Sequence, residues 1–141
     1  MEAHWKQIWP DLQWDLLNAS QAQLDLSVCE GFLIHSRAED YTPMSAPDFT
    51  LISYMLGHVH ARELLEKALE YTPGPVIVLD VFDSTAEFNS TFEYNAPTSG
   101  MMRDVGFHEV KTGPWIVNPY ITDVVADHLV RQSTPQLWIS E

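Results

Sequence analysis

Apolar residues near the start of the chain recur at three- and four-residue spacing: Trp5, Ile8, Trp9, Leu12, Leu16 and Leu17. That spacing predicts a helix over residues 3–18, beginning near Pro10 or kinked there, because proline inside a helix loses a hydrogen bond and clashes. Leu24–Cys29 alternates apolar and polar and predicts a half-buried strand. Glu30-Gly31 reads as a turn and Phe32–Ser36 as a second strand, so the two make a candidate hairpin. Residues 37–48, with Pro43, Pro47 and several charges, predict a loop. Phe49–Leu56 is apolar on both faces, which predicts a strand in a central position.

Gly57 ends that strand, and a helix is predicted from about His60 to Tyr71 on the stripe Leu64, Leu65, Ala68 and Leu69. Pro73-Gly74-Pro75 stops it, and Val76–Phe82 (VIVLDVF) is the most apolar strand of the chain. Strand, helix and strand in this order predict a parallel βαβ unit with a right-handed crossover. Residues 83–96 mix polar and aromatic positions. Pro97–Val105 predicts a short helix ended by Gly106, and Phe107–Lys111 a returning strand. Trp115–Val117 reads as a possible strand, Asp123–Gln132 as a short helix, and Leu137–Ile139 as a terminal extended piece. The expected class is α/β (α+β): a mixed twisted sheet with a central parallel βαβ unit and helices on both faces, in one domain over 1–141.

Charge changes this picture most. Seven Lys+Arg against twenty Asp+Glu give a net charge of −13, the opposite of a nucleic-acid footprint. An acidic surface keeps a protein soluble and can also attract a basic partner. No apolar run approaches the roughly 20 residues of a membrane span, and MEAHWKQIW lacks the pattern of a secretory signal. Cys29 is the single cysteine, which fits a reducing, cytoplasmic compartment. Trp5, Trp9, Trp14, Trp115 and Trp138 are many indoles for a small core, and predict an aromatic contact surface and a homodimer.

Three segments resemble the GNAT N-acetyltransferase superfamily. In LISYMLGHVHARELLEKALEY, Ala61 falls on the last small position of that family's Q/R-x-x-G-x-G/A turn and Leu64-Leu65 on its paired leucines. Leu56 and Val59 replace the Gln/Arg and the middle glycine. VIVLDVF resembles the next core strand. In NAPTSGMMRDVGFHEV, Asn95 stands eleven residues before Gly106-Phe107, as in the family, while Met102 replaces the family's tyrosine. The order EGFLIHSR, LGHVHARELLEKAL, GPVIVLDVF also resembles the C-terminal domain of two-domain GNAT proteins.

The resemblance implies acetyl-CoA as co-substrate, an acyl-CoA partner, and transfer of the acetyl group to an amine on a basic small molecule or protein. It places the pyrophosphate on Leu56, Gly57, His58, Val59, His60, Ala61 and Arg62, with Asn95, at a helix start where N–H groups favour anions. Acetyl transfer needs a base and often an acid. The candidates carried forward are Glu30, Tyr94 and His108, with His35, Asp48 and Asp80 as further bases and Tyr54 as a further acid. His58 and His60 supply two ligands, short of the three or four a zinc site takes. The alternatives are a non-catalytic GNAT-like binding module, or a small acidic inhibitor or nucleic-acid mimic acting on a basic partner.

Overall fold

The VIVLDVF stretch is the buried heart of the fold. Its first five residues form a strand in which Val76, Val78 and Asp80 are buried and the residues between them half-buried. The computed structural model describes residues 7, 9–27, 31–83, 94, 96–110 and 136–141. These fall into two units, residues 1–42 and 43–141.

In the first unit, β1 (Leu16–Asn18), α1 (Gln21–Asp25) and β2 (Leu33–His35) follow one another. The helix predicted over 3–18 therefore gives way to a strand at its end. The strand predicted over Leu24–Cys29 gives way to a helix over 21–25. Ser20 explains the change: its hydroxyl accepts the Gln23 N–H and caps α1. Nor does β2 pair with Leu24–Cys29 as the expected hairpin would have it; its partner is β1. They pair in parallel, Leu16 opposite Leu33 and Asn18 opposite His35.

The second unit carries a four-stranded sheet: β3 (Thr50–Ser53), β4 (Val76–Asp80), β5 (Phe107–Glu109) and β6 (Gln136–Ser140), in the order β3-β4-β6-β5. β3 and β4 are parallel, as expected, and α2 (Ala61–Tyr71) connects them. β3 nonetheless lies at an edge. The C-terminal segment, expected as a loose extended piece, is β6. It runs antiparallel between β4 and β5, with Val78 opposite Trp138 and His108 opposite Ile139. α3 (Ser99–Val105) precedes β5. Thr98 caps its start by accepting the Met101 N–H, and Gly106 closes it at φ 107, where a side chain would be strained.

Leu64, Leu65 and Ala68 of α2 are buried together with Val76, Val78, Met102, Phe107 and Trp138, which form the core of the second unit. The Trp138 ring lies 5.6 Å from Phe82 and 5.4 Å from the Arg103 guanidinium. At the amino ends of the parallel strands the chain is tight. Thr50 and Thr72 share a 2.7 Å hydroxyl hydrogen bond, and a Cβ on Gly74 would come within 1.9 Å of the Asp48 carbonyl oxygen.

Candidate functional site

In sheets with parallel strands and helical crossovers, ligands gather beyond the carboxyl ends of the strands. The carboxyl ends of β3 and β4 are organised by one buried carboxylate, Asp80, at 2% exposure. Its Oδ2 accepts the N–H groups of Met55 and Leu56 at 2.9 and 2.8 Å, and its Oδ1 accepts the Val81 N–H at 2.8 Å. Burial pushes its carboxyl above the usual range. The three backbone donors and the nearby His58 pull the other way.

Tyr54 directly follows β3, within reach of the Asp80 charge. Its φ is 52, a left-handed backbone uncommon for a residue with a side chain and frequent where strain serves a site. The residue is 40% exposed. Burial, then the Asp80 charge, raise its hydroxyl pKa. After it, Leu56–His58 forms a single 3-10 turn that buries Leu56 and Gly57 and leaves His58 exposed. The Tyr94 N–H donates to the Gly57 carbonyl at 2.7 Å, and the Tyr94 ring lies 4.4 Å from His60. Two aromatic rings, two histidines and a buried carboxylate thus belong to one edge.

Asp83 closes the other side. It too has a left-handed backbone (φ 54), and its carboxylate caps α3, accepting the Ser99 N–H at 3.0 Å and the Ser99 hydroxyl. The sequence pattern gives little reason to single it out, beyond an Asp-Ser-Thr run directly after an apolar strand.

The residues expected to hold a pyrophosphate sit differently from a phosphate cradle. Val59 is buried, and His60 precedes α2 without a side-chain cap. Arg62 is engaged by acidic neighbours, with Nη2 2.7 Å from Asp104 and Nε 3.1 Å from Glu66. Ala61 is the first residue of α2. Among the expected catalytic residues, Tyr94 is at this edge. His108 is exposed on β5, with β6 between it and β4. His35, on β2, approaches the Ala19 carbonyl at 3.0 Å, and Asp48 is exposed before β3. Glu30 and Asn95 lie outside the described residues, as do the segments expected as a strand over 115–117 and a helix over 123–132. Among the described residues, no three His, Cys, Asp or Glu side chains gather as a metal site.

The strands themselves speak against an acyl-CoA slot. A pantetheine arm needs β3 and β4 to splay at their carboxyl ends. Here the pairing runs through Ser53 opposite Leu79, continues with the Tyr54 N–H on the Leu79 carbonyl at 2.9 Å, and is then bridged by Asp80.

No protein-family model and no curated protein matches the sequence. Solved structures do resemble it. The plantazolicin methyltransferase BpumL in complex with SAH aligns over 99% of this chain and 70% of its own, at TM-score 0.67 and 12% identity. The N-methyltransferase NodS from Bradyrhizobium japonicum WM9, with S-adenosyl-L-homocysteine, aligns over 98% and 70%, at TM-score 0.60 and 8% identity. A putative S-adenosylmethionine-dependent methyltransferase from Listeria monocytogenes aligns over 88% and 77%, at TM-score 0.56 and 11% identity. At these identities the likeness concerns the fold, a mixed α/β arrangement compatible with a Rossmann-like methyltransferase.

This corrects the GNAT resemblance, and with it acetyl-CoA as co-substrate, acyl-CoA as partner and acetyl transfer as the reaction. The physical reason the motif misled is plain: a parallel βαβ unit with a leucine-rich helix belongs to both architectures. No helix among the described residues is long and apolar enough to cross a membrane.

Proposed function

We propose that this chain is a methyltransferase-like protein that binds S-adenosylmethionine or its demethylated product at the carboxyl edge of β3 and β4. One observation carries the reading: nearly the whole chain superposes on structures solved with that cofactor's product. The chemistry of the edge fits the group in sign. S-adenosylmethionine is a sulfonium cation, and Tyr54, within reach of the Asp80 charge, and Tyr94, against His60, offer π-faces in a chain of net charge −13. The same edge suits a pyrophosphate poorly, because Arg62 is already paired with carboxylates.

Tyr54 and Tyr94 would hold the cofactor, which supplies an electrophilic methyl group when bound. Asp80 fixes the turn from which Tyr54 and His58 project, so its role is positioning. His58, exposed on that turn, is the group placed to take a proton from an acceptor.

Thermal denaturation and titration calorimetry with S-adenosylhomocysteine test this. Ligand at a hundred times its dissociation constant stabilises by about 2.7 kcal/mol. The product should raise the Tm, CoA and acetyl-CoA should not, and Tyr54→Leu should weaken binding by about 0.5–2 kcal/mol. No heat with either S-adenosyl compound at millimolar concentration overturns the reading.

A further inference from the structure

A buried carboxylate ordinarily has a cation beside it. Asp80 is 2% exposed, yet among the described residues no lysine or arginine forms an ion pair with it. Arg62 is held by Asp104 and Glu66, and Arg103 lies over the Trp138 ring. The partners of Asp80 are backbone N–H groups, two on Oδ2 and one on Oδ1. Donors on both oxygens favour the ionised form. The charge is thus held in place by dipoles and left without a lysine or arginine to neutralise it.

Its field reaches the edge where the ligand is proposed to bind. Two of its donors, Met55 and Leu56, directly follow Tyr54, and the charge is felt at the Tyr54 hydroxyl. The side-chain charge that acts on Asp80 in return is that of His58, exposed on the same turn. The neighbours on other elements do not cancel it. Gln136, opposite Asp80 on β6, is uncharged, and Asp83, three residues on, is itself acidic and holds Ser99.

We propose that the Asp80 charge makes this site prefer the sulfonium methyl donor to its demethylated product, an inference that rests on the function proposed above. The two ligands share their adenosine and amino-acid parts. They differ by one methyl group and by the positive charge on sulfur. When an acceptor's lone pair takes the methyl, the sulfur keeps the electron pair of the broken bond and becomes a neutral thioether. The charge that Asp80 attracts is therefore present before transfer and absent after it. Contacts common to both ligands cannot discriminate between them, whereas a fixed charge can. Unit charges about 10 Å apart, at an effective dielectric near 20, give a preference of about tenfold.

Titration calorimetry with S-adenosylmethionine and with S-adenosylhomocysteine gives the ratio of the two affinities. The wild-type chain should favour the donor by about tenfold. Asp80→Asn should lose most of that preference. Glu109→Gln, which removes the same charge from an exposed position on β5, should keep it. A carboxylate that only shapes the turn would change both affinities together, so an unchanged ratio in Asp80→Asn overturns the inference, as does a wild-type chain that binds both ligands equally. If neither ligand binds, the proposed function fails first and this inference with it. A second measurement needs no variant: the Asp80 carboxyl carbon titrated by NMR in the two wild-type complexes. Linkage is reciprocal, so a tenfold preference requires a midpoint about one pH unit lower in the donor complex. Equal midpoints overturn the inference even where Asp80→Asn fails to fold.

Discussion

Among the described residues the strand–helix–parallel strand arrangement occurs twice, at very different depth. β1, α1 and β2 are three, five and three residues long, and α1 buries only Leu24. Phe32 and Leu26 beside them are 70% and 84% exposed. β3, α2 and β4 run to four, eleven and five residues, and α2 alone buries Leu64, Leu65 and Ala68. The connection rule is the same, while the apolar area removed from water is not, and burial sets stability. Topology therefore says little about either strength or chemistry. What sets the second motif apart is how its strands end, on a carboxylate that binds both turns.

Several changes would break or sharpen that contrast. The largest effect is expected from Trp138→Ala, which empties the centre of the sheet and should cost about 3–5 kcal/mol in urea denaturation. Asp80→Asn should cost about 1–3 kcal/mol, because an amide nitrogen must then face at least one backbone donor. The same variant has a signature in pH. Burial raises the Asp80 pKa, so the folded state keeps that proton to higher pH than the unfolded chain does. Its contribution is present below the ordinary carboxylate range and is lost as pH rises through the window just above about 3.9. Denaturation midpoints compared across pH 3–6 should show that downward slope in the wild type and its absence in Asp80→Asn. A slope of the same size in both would assign it to other groups.

Smaller effects should separate the two units. Thr98→Ala removes the cap of α3 and should cost about 1 kcal/mol of global stability. Ser20→Ala removes the cap of α1. It should speed amide exchange in residues 20–27 while leaving the main denaturation midpoint within about 0.5 kcal/mol. A midpoint shift as large as that of Thr98→Ala would mean that the first unit is as strongly coupled to the global transition as α3 is.

The same contrast explains what could be read from sequence. β3, α2 and β4 were legible because each is long enough to show its period: four leucine or alanine positions on one helical stripe, and a run of valine, isoleucine and leucine around Asp80. α1 was not legible. A five-residue helix with one buried leucine has no period to detect, and only the Ser20 cap announces it. The partners of β6 are distant in sequence, which no local pattern encodes. At the site, a carboxylate within an otherwise apolar strand was a fair sign that Asp80 is buried and hydrogen-bonded. The left-handed turn at Tyr54 left no such sign, since a tyrosine rarely adopts it.

The place of β6 has a consequence for synthesis. Residues 136–140 fill the gap between β4 and β5, so among the described strands the one in the middle of this sheet is the last to leave the ribosome. Until then β4 and β5 emerge with facing edges bare, and Val78 lacks its cover by Trp138. A nascent chain in that condition is exposed to wrong pairing, and loss of residues 136–140 would remove a keystone where a loose piece was expected.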